Sequence, residues 1–376
     1  MKRIKKLLLI SFLLLVLSGC WDEKEIGEVN YATAMAIDYQ DENYIIYVQI
    51  LDFSNVAKQD VNKPAQQVPL YIGRAKGKTV NDAVNNLYHT SQQMINWAHV
   101  GAVIYTQSVI EKGVTRAEQS LRKNGQFRYT PWMFGTKESI DDILSATGFF
   151  QLPPVYTILY KPTDTYTINS YIRPIRMHKF VSIYKEPGGT ALLPALSIDE
   201  TDWKESVVEP KPKKTLKVNG VFPIHNGKGK EWLSHDELPG LRWTNNDTKN
   251  TTIDVVEDDQ IKGTVRIMKP HVEFSVEKKG SDFQFSIHVK AVGSLSDMEE
   301  QLSVKKIEKL VKKQIKKEIT ETYLNGINKG VDVYNIKNKL FHQRVKPKDL
   351  AKYPLKAESL HKITVDFHLE TKGVYE

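Results

Sequence analysis

Hydrophobic and polar positions alternate over 31–38 and again over 44–53, around the polar turn Gln40-Asp41-Glu42-Asn43, and this pattern predicts a β-hairpin. A short strand over 68–72 leads into the turn Gly73 to Thr79. Beyond it Val80, Ala83, Val84, Leu87, Tyr88 and Met94 recur close to helical spacing, predicting a helix over 80–94. Thr79, with Asp82 three residues on, fits a capping box that would satisfy the free amides at the start of that helix. Strand 99–106, helix 109–123, strand 129–136 and helix 139–146 then alternate, the pattern of an α/β layer. The aromatic, Pro-interrupted stretch 148–162 reads as irregular. A helix around 175–184 stops at Pro187-Gly188-Gly189, and 191–198 reads as a strand.

Residues 199–215 are charged and carry Pro210 and Pro212, which places a linker at 201–214. Strands are expected beyond it at 216–224, 231–233, 252–256, 263–276 and 283–293. A long helix over 299–325 follows, then a short helix at 336–343 and a closing strand at 363–369. The fold class is α+β or α/β, with mixed sheets flanked by helices in two to three domains. The expected division is 1–19 as a signal peptide, 20–200 as an N-terminal α/β region with room for two subdomains, 201–214 as the linker and 215–373 as a C-terminal α+β domain.

Composition changes this picture only at the N-terminus. The 376 residues are 40% apolar and 26% charged, an ordinary globular balance. The net charge of +8 invites a nucleic-acid reading, but Lys2, Arg3, Lys5 and Lys6 supply four of those charges within six residues. Without them 49 of the 53 Lys and Arg face 45 acids, a net of +4. The apolar run 7–17 would reach about 17 Å as a helix, short of the ~30 Å hydrocarbon core, so it reads as a secretory h-region. It ends in Leu17-Ser18-Gly19-Cys20, the order aliphatic, small, small, Cys of a bacterial lipobox. Cys20 is the chain's only cysteine. It is therefore the candidate lipidation site, accepting an S-diacylglyceryl group whose two chains hold a protein stably at a membrane. A lone cysteine leaves no disulfide, thiolate zinc site or cysteine nucleophile to build on, and export argues against nucleic acid as a partner.

The remaining motifs carry little chemistry. Gly73-Arg74-Ala75-Lys76-Gly77-Lys78-Thr79 mimics a phosphate loop but has three residues between its glycines where a Walker loop needs four. The ten histidines include no H-E-x-x-H, and His235-Asp236-Glu237 reads as a helix start, not a metal site. No nucleophile elbow or catalytic carboxylate pair stands out, so no catalytic residue, cofactor or metal is expected. In the helix after Glu299, Val304, Ile307, Val311, Ile315 and Ile319 form an apolar stripe. Lys305, Lys306, Lys309, Lys312, Lys313, Lys316 and Lys317 are expected on the opposite face. That face is either simply solvated or a contact, centred on Lys305, Lys309, Lys312, Lys313 and Lys316, for anionic headgroups or teichoic-type polymers.

Several segments resemble a known family in order. These are Cys20-Trp21-Asp22 with Glu25-Ile26, the strand from Ala32 to Asp38, Gly77-Lys78-Thr79, Trp97-Ala98-His99-Val100, and Gly188-Gly189 through Pro194. In the second half Gly220-Val221-Phe222, Leu238 to Trp243 and Phe341-His342-Gln343-Arg344 continue the match. The chain is similar to the spore germination lipoprotein C-subunit family, the GerAC-like or Ger(x)C proteins. The resemblance implies a non-enzymatic subunit of a nutrient germinant receptor, built from α/β domains. It implies assembly with integral-membrane A and B subunits at the outer face of the spore inner membrane. It also implies that Cys20 carries both S-diacylglycerol and an N-acyl, palmitoyl-type group. The alternative on the residues alone is a lipid-anchored solute-binding protein that feeds a transporter.

Overall fold

The structure, a computed structural model, describes residues 29–51, 69–123, 125–206, 209–279, 282–299 and 302–371. The expected signal peptide and Cys20 lie outside the described residues. The first half runs β1 (Val29–Gln40), β2 (Asn43–Leu51), β3 (Leu70–Gly77), α1 (Val80–Tyr88), β4 (Met94–Asn96), β5 (Ala102–Thr106), α2 (Gln107–Lys112), α3 (Thr115–Lys123), β6 (Trp132–Thr136), α4 (Ile140–Ser145), α5 (Pro162–Ile168), α6 (Met177–Lys185) and β7 (Thr190–Asp199). The short strands β8 (Lys204–Glu205) and β9 (Lys211–Pro212) precede β10 (Thr215–His225), β11 (Lys228–Gly229) and β12 (Leu233–Ser234). Among the described residues these form a sheet ordered β11-β10-β7-β6-β5-β1-β2-β3, with β4 on β1 and β12 on β10. Its centre, β1, β5, β6 and β7, is parallel, and its flanks are antiparallel.

The period-2 pattern of β1 distributes side chains between two cores. Met35 and Ile37 pack with Val103, Tyr105 and the α2–α3 side chains Val109, Ala117 and Leu121. Ala34 and Ala36 pack with Ile104, Phe134 and the α4 side chains Ile140, Ile143 and Leu144 on the other face. Helices cover both faces, as a parallel centre requires. The hairpin β1–β2 and the α1 capping box are as expected, with Asp82 N donating to Thr79 Oγ1 at 3.1 Å and Thr79 N to Asp82 Oδ2 at 3.1 Å.

Other boundaries move for physical reasons. Of the expected turn from Gly73 to Thr79, the part through Gly77 belongs to β3, paired with β2 from Leu70 through Gly77. Helix α1 stops at Tyr88, because Met94 to Asn96 are taken up as a short parallel strand beside the start of β1. The single helix expected over 109–123 is two. Gly113 sits at φ 110, a conformation open to glycine, and Val114 N donates to Gly227 O at 2.9 Å instead of continuing the helix. Pro162 opens an additional short helix, α5, just beyond the irregular stretch.

The expected linker 201–214 is the connection of a long hairpin. The strand after it, β10, pairs antiparallel with β7 from Thr215↔Asp199 to His225↔Thr190, so residues 215–234 complete the N-terminal sheet. Charge and proline there mark a solvent-exposed hairpin end in which β8 and β9 pair. The chain leaves this sheet after Ser234.

The second half is a sheet ordered β13 (Asn250–Glu257), β14 (Gln260–Lys279), β15 (Asp282–Met298) and β16 (Leu360–Thr371). The helix α7 (Val304–Asn328) packs across it, and α8 (Ile336–His342) lies in the β15–β16 crossover. Ile307, Val311, Ile315, Ile319 and Tyr323 of α7 meet Ile253, Val265, Ile267, Phe285, Ile287 and Val289 in one core. That core also takes in Ile172, Val221 and Leu233 of the first half, so the halves are packed together.

Candidate functional site

Helix α7 shows how the sequence places its charges. At ~100° per residue Lys305, Lys309, Lys312 and Lys316 fall within about 60° of one another, with Lys313 about 40° further round. The structure brings these five lysines, with Glu308, onto one groove-like face, and none of the five has an ion-pair partner among the described residues. The face expected from periodicity is narrower than seven lysines. Lys306 turns to an ion pair with Glu257 at the end of β13, and Lys317 lies 3.9 Å from Glu321. The buried side of the same helix holds a charge that periodicity did not single out. Glu318 accepts from Arg242 Nη2 at 2.8 Å and from Trp243 Nε1 at 2.5 Å. This clamps the turn 239–243 onto α7, where Gly240 N also donates to Thr322 Oγ1 at 2.7 Å.

His235, Asp236 and Glu237 form one 3-10 turn. Ser234 N donates to Glu237 Oε2 at 2.8 Å, and Lys329 Nζ lies 2.6 Å from Glu237 Oε1. Ser234 is the N-cap of that turn, and Glu237 closes its capping box. No group of three metal-ligating side chains occurs among the described residues, and no described helix is long and apolar enough to cross a membrane.

The two halves meet along a built seam. Asn335, at φ 54, accepts from Thr190 N at 2.6 Å through Oδ1 and donates to Thr190 O at 3.0 Å. Asn338 donates to Pro187 O at 3.3 Å, and His342 lies 3.1 Å from Glu186. Gly188, at φ 75, lets the backbone of α8 approach: a Cβ there would stand 2.7 Å from the Lys337 carbonyl carbon. Beside this seam a cleft of about 770 Å³ runs between the halves, lined in part by Trp132, Tyr171, Arg176, Lys179 and Lys339. The Arg176 guanidinium lies 3.5 Å over the Trp132 ring and Lys339 Nζ 4.1 Å over Phe274. Burial lowers both of their pKa values. The signal for such a cleft was absent from the sequence, because its cations come from segments far apart in the chain.

Residues 22–198 match the family described as "Spore germination protein N-terminal domain". Residues 219–373 match the family described as "Spore germination B3/ GerAC like, C-terminal". The chain belongs to the GerAC-like family of spore germination proteins. Spore germination protein KC of Bacillus subtilis (strain 168) is 24% identical over 391 aligned positions, covering 98% of this chain and 95% of that protein. Spore germination protein B3 of the same organism is 22% identical over 251 positions, covering 65% and 62%. The crystal structure of the GerBC protein covers 93% of this chain and 99% of its own, with a TM-score of 0.50 at 14% identity, and so shares the fold. The GerAC-like matches end at 198 and resume at 219, on the two paired strands β7 and β10.

Proposed function

We propose that this GerAC-like protein is the lipid-anchored, non-enzymatic C subunit of a nutrient germinant receptor. In this reading Cys20 carries S-diacylglycerol and an N-acyl group. It tethers the folded body to the outer face of the spore inner membrane, where the body assembles with integral-membrane A and B subunits. The observation that carries the reading is the ordered match of both family regions across nearly all of the chain after Cys20. The lipobox supplies the anchor, and two acyl chains hold where one would release. The unpaired lysines of α7 then offer a face to anionic headgroups or teichoic-type polymers. Replacing Cys20 by Ala is expected to leave a folded protein that is lost from the membrane fraction, in spores that respond slowly to nutrients. Normal membrane recovery together with normal germination would contradict the anchor.

The cleft between the halves favours one second reading, a lipid-anchored solute-binding protein, since its volume suits a small ligand. Calorimetry on the purified chain separates the two. Tight stoichiometric uptake of an amino acid or sugar supports solute delivery, and its absence supports a subunit that works through assembly.

A further inference from the structure

The cleft between the halves carries more positive charge than the chain itself matches. Among the described residues that line it, the carboxylates are Glu186 and Asp247, and both are paired, Glu186 with His342 at 3.1 Å and Asp247 with Arg173. Arg176, Lys179, Lys249 and Lys339 line it too, and none of these four has an ion-pair partner among the described residues. Arg176 and Lys339 rest on ring faces instead, those of Trp132 and Phe274. A ring face supplies only part of what a carboxylate or water gives a cation, and burial lowers the pKa of both groups. Asp332 favours the charged form of Lys339 from a distance, but its carboxylate is taken up by Ile336 N at 2.9 Å and Lys337 N at 2.8 Å. Elsewhere on the same interface the chain does provide a counter-charge: Arg242, next to Leu241 of the lining, meets Glu318 at 2.8 Å.

The two walls hold their cations in place. On the first half, Met133 N donates to Ile175 O and Met177 N to Pro131 O, each at 2.9 Å, so Arg176 is bridged to Trp132 at the start of β6. Its Nη1 donates to Thr130 O at 2.6 Å, which leaves the other N–H groups of the guanidinium for a ligand. Lys179 follows three residues on, on the same side of α6, and is exposed. On the second half, Lys339 N donates to Asn335 O at 3.1 Å. The Asn335 amide grips both backbone groups of Thr190, so the residue that closes the seam also sets Lys339 against the first half. The lining also includes Ile172, Leu192, Val221, Leu241 and Val333, which belong to the shared core or pack against it.

We propose that this cleft is a binding site for a small organic carboxylate, an anion with an apolar body and no ammonium group. Its carboxylate groups meet Arg176 from one half and Lys339 from the other, Lys179 adds charge from the exposed side, and the body covers the apolar lining. A volume of about 770 Å³ suits such a ligand. The same charge balance selects against a zwitterion, because the ammonium of an amino acid would meet no free carboxylate there. The site goes beyond both functional readings above and depends on neither acylation nor receptor partners.

Calorimetry on the purified full chain in mild detergent tests it, with terephthalate as the probe and benzamide, phenylalanine and inorganic phosphate as comparisons. Terephthalate is expected to bind one per chain, at least about tenfold tighter than each of the other three, with an affinity that falls as salt is raised. Lys339→Gln and Arg176→Gln should each weaken it about tenfold or more, the loss of a charge-assisted hydrogen bond. Lys204→Gln on β8 should leave it unchanged. Circular dichroism checks that each variant is folded. Should Arg176→Gln not fold, Arg176→Lys keeps the charge without the planar fork and should weaken binding severalfold. No uptake of terephthalate at millimolar concentration, or uptake that survives the substitutions at 176 and 339, overturns the site. Benzamide binding as tightly overturns the role of charge, phosphate binding as tightly overturns the apolar body, and phenylalanine binding as tightly overturns the selection against zwitterions in favour of solute delivery. A chain that fails to bind terephthalate yet carries acyl mass on Cys20 loses this site alone and keeps the receptor reading.

Discussion

Glu318 and Arg242 form an ion pair buried almost completely between α7 and the turn 239–243. Burying two charges is costly unless their geometry and further hydrogen bonds offset the loss of water, and here Trp243 Nε1 and Gln314 Nε2 also donate to the carboxylate. Arg242→Ala leaves that carboxylate without its counter-charge and is expected to destabilise the protein by ~3–5 kcal/mol in urea unfolding, a large part of a typical folding free energy. Asp199 makes a different, pH-dependent contribution at the end of β7. Lys217 Nζ at 2.5 Å, Asp202 N at 2.9 Å and Thr201 Oγ1 at 3.0 Å hold its carboxylate, lowering the pKa from 3.8 to about 2. A depressed acid stabilises the fold above its unfolded pKa and loses that contribution as the pH falls through the folded value. The advantage of the native chain over Asp199→Asn should therefore be constant above about pH 4 and fade towards pH 2, as acid unfolding curves of the two would show. Neither residue was legible in the sequence. Glu318 sits among lysines and reads as surface until Arg242, 76 residues away, is placed against it, and Asp199 reads only as the start of the charged stretch 199–215.

At the level of elements, legibility followed the strength of the local period. α7 repeats its apolar stripe over several turns, and the structure buries Ile307, Val311, Ile315 and Ile319 as expected. Ile315→Ala should cost ~2–5 kcal/mol by leaving a cavity, while Lys316→Ala on the opposite face should stay within about 0.5 kcal/mol; thermal unfolding of the pair measures the contrast. The α1 cap was equally readable, because its two residues are three apart and act locally. The elements that departed from expectation depend on distant partners. β4 exists because β1 extends beside it, and the break between α2 and α3 uses a carbonyl from the β10–β11 turn. That β10, after the expected linker 201–214, joins the first sheet was not readable either, since only its pairing with β7 shows it.

Across the whole molecule, a ten-stranded sheet and a four-stranded sheet share part of one core, with Asn335 and Gly188 tightening the seam between them. The two halves are packed together through that shared core. The lysine face of α7 was legible from periodicity, whereas the contact of Phe149 with Trp203 was not, because the two are more than fifty residues apart in the chain. The GerAC-like membership and the single lipobox cysteine lead to the central claim, an acylated subunit that works inside a receptor. Affinity purification of the full chain from spore membranes under mild detergent, followed by mass spectrometry, tests it most directly. The account predicts acyl mass on Cys20 together with stoichiometric recovery of one A-type and one B-type integral-membrane subunit. A chain recovered unacylated, or acylated but accompanied by a transporter's permease and ATPase instead, would contradict it.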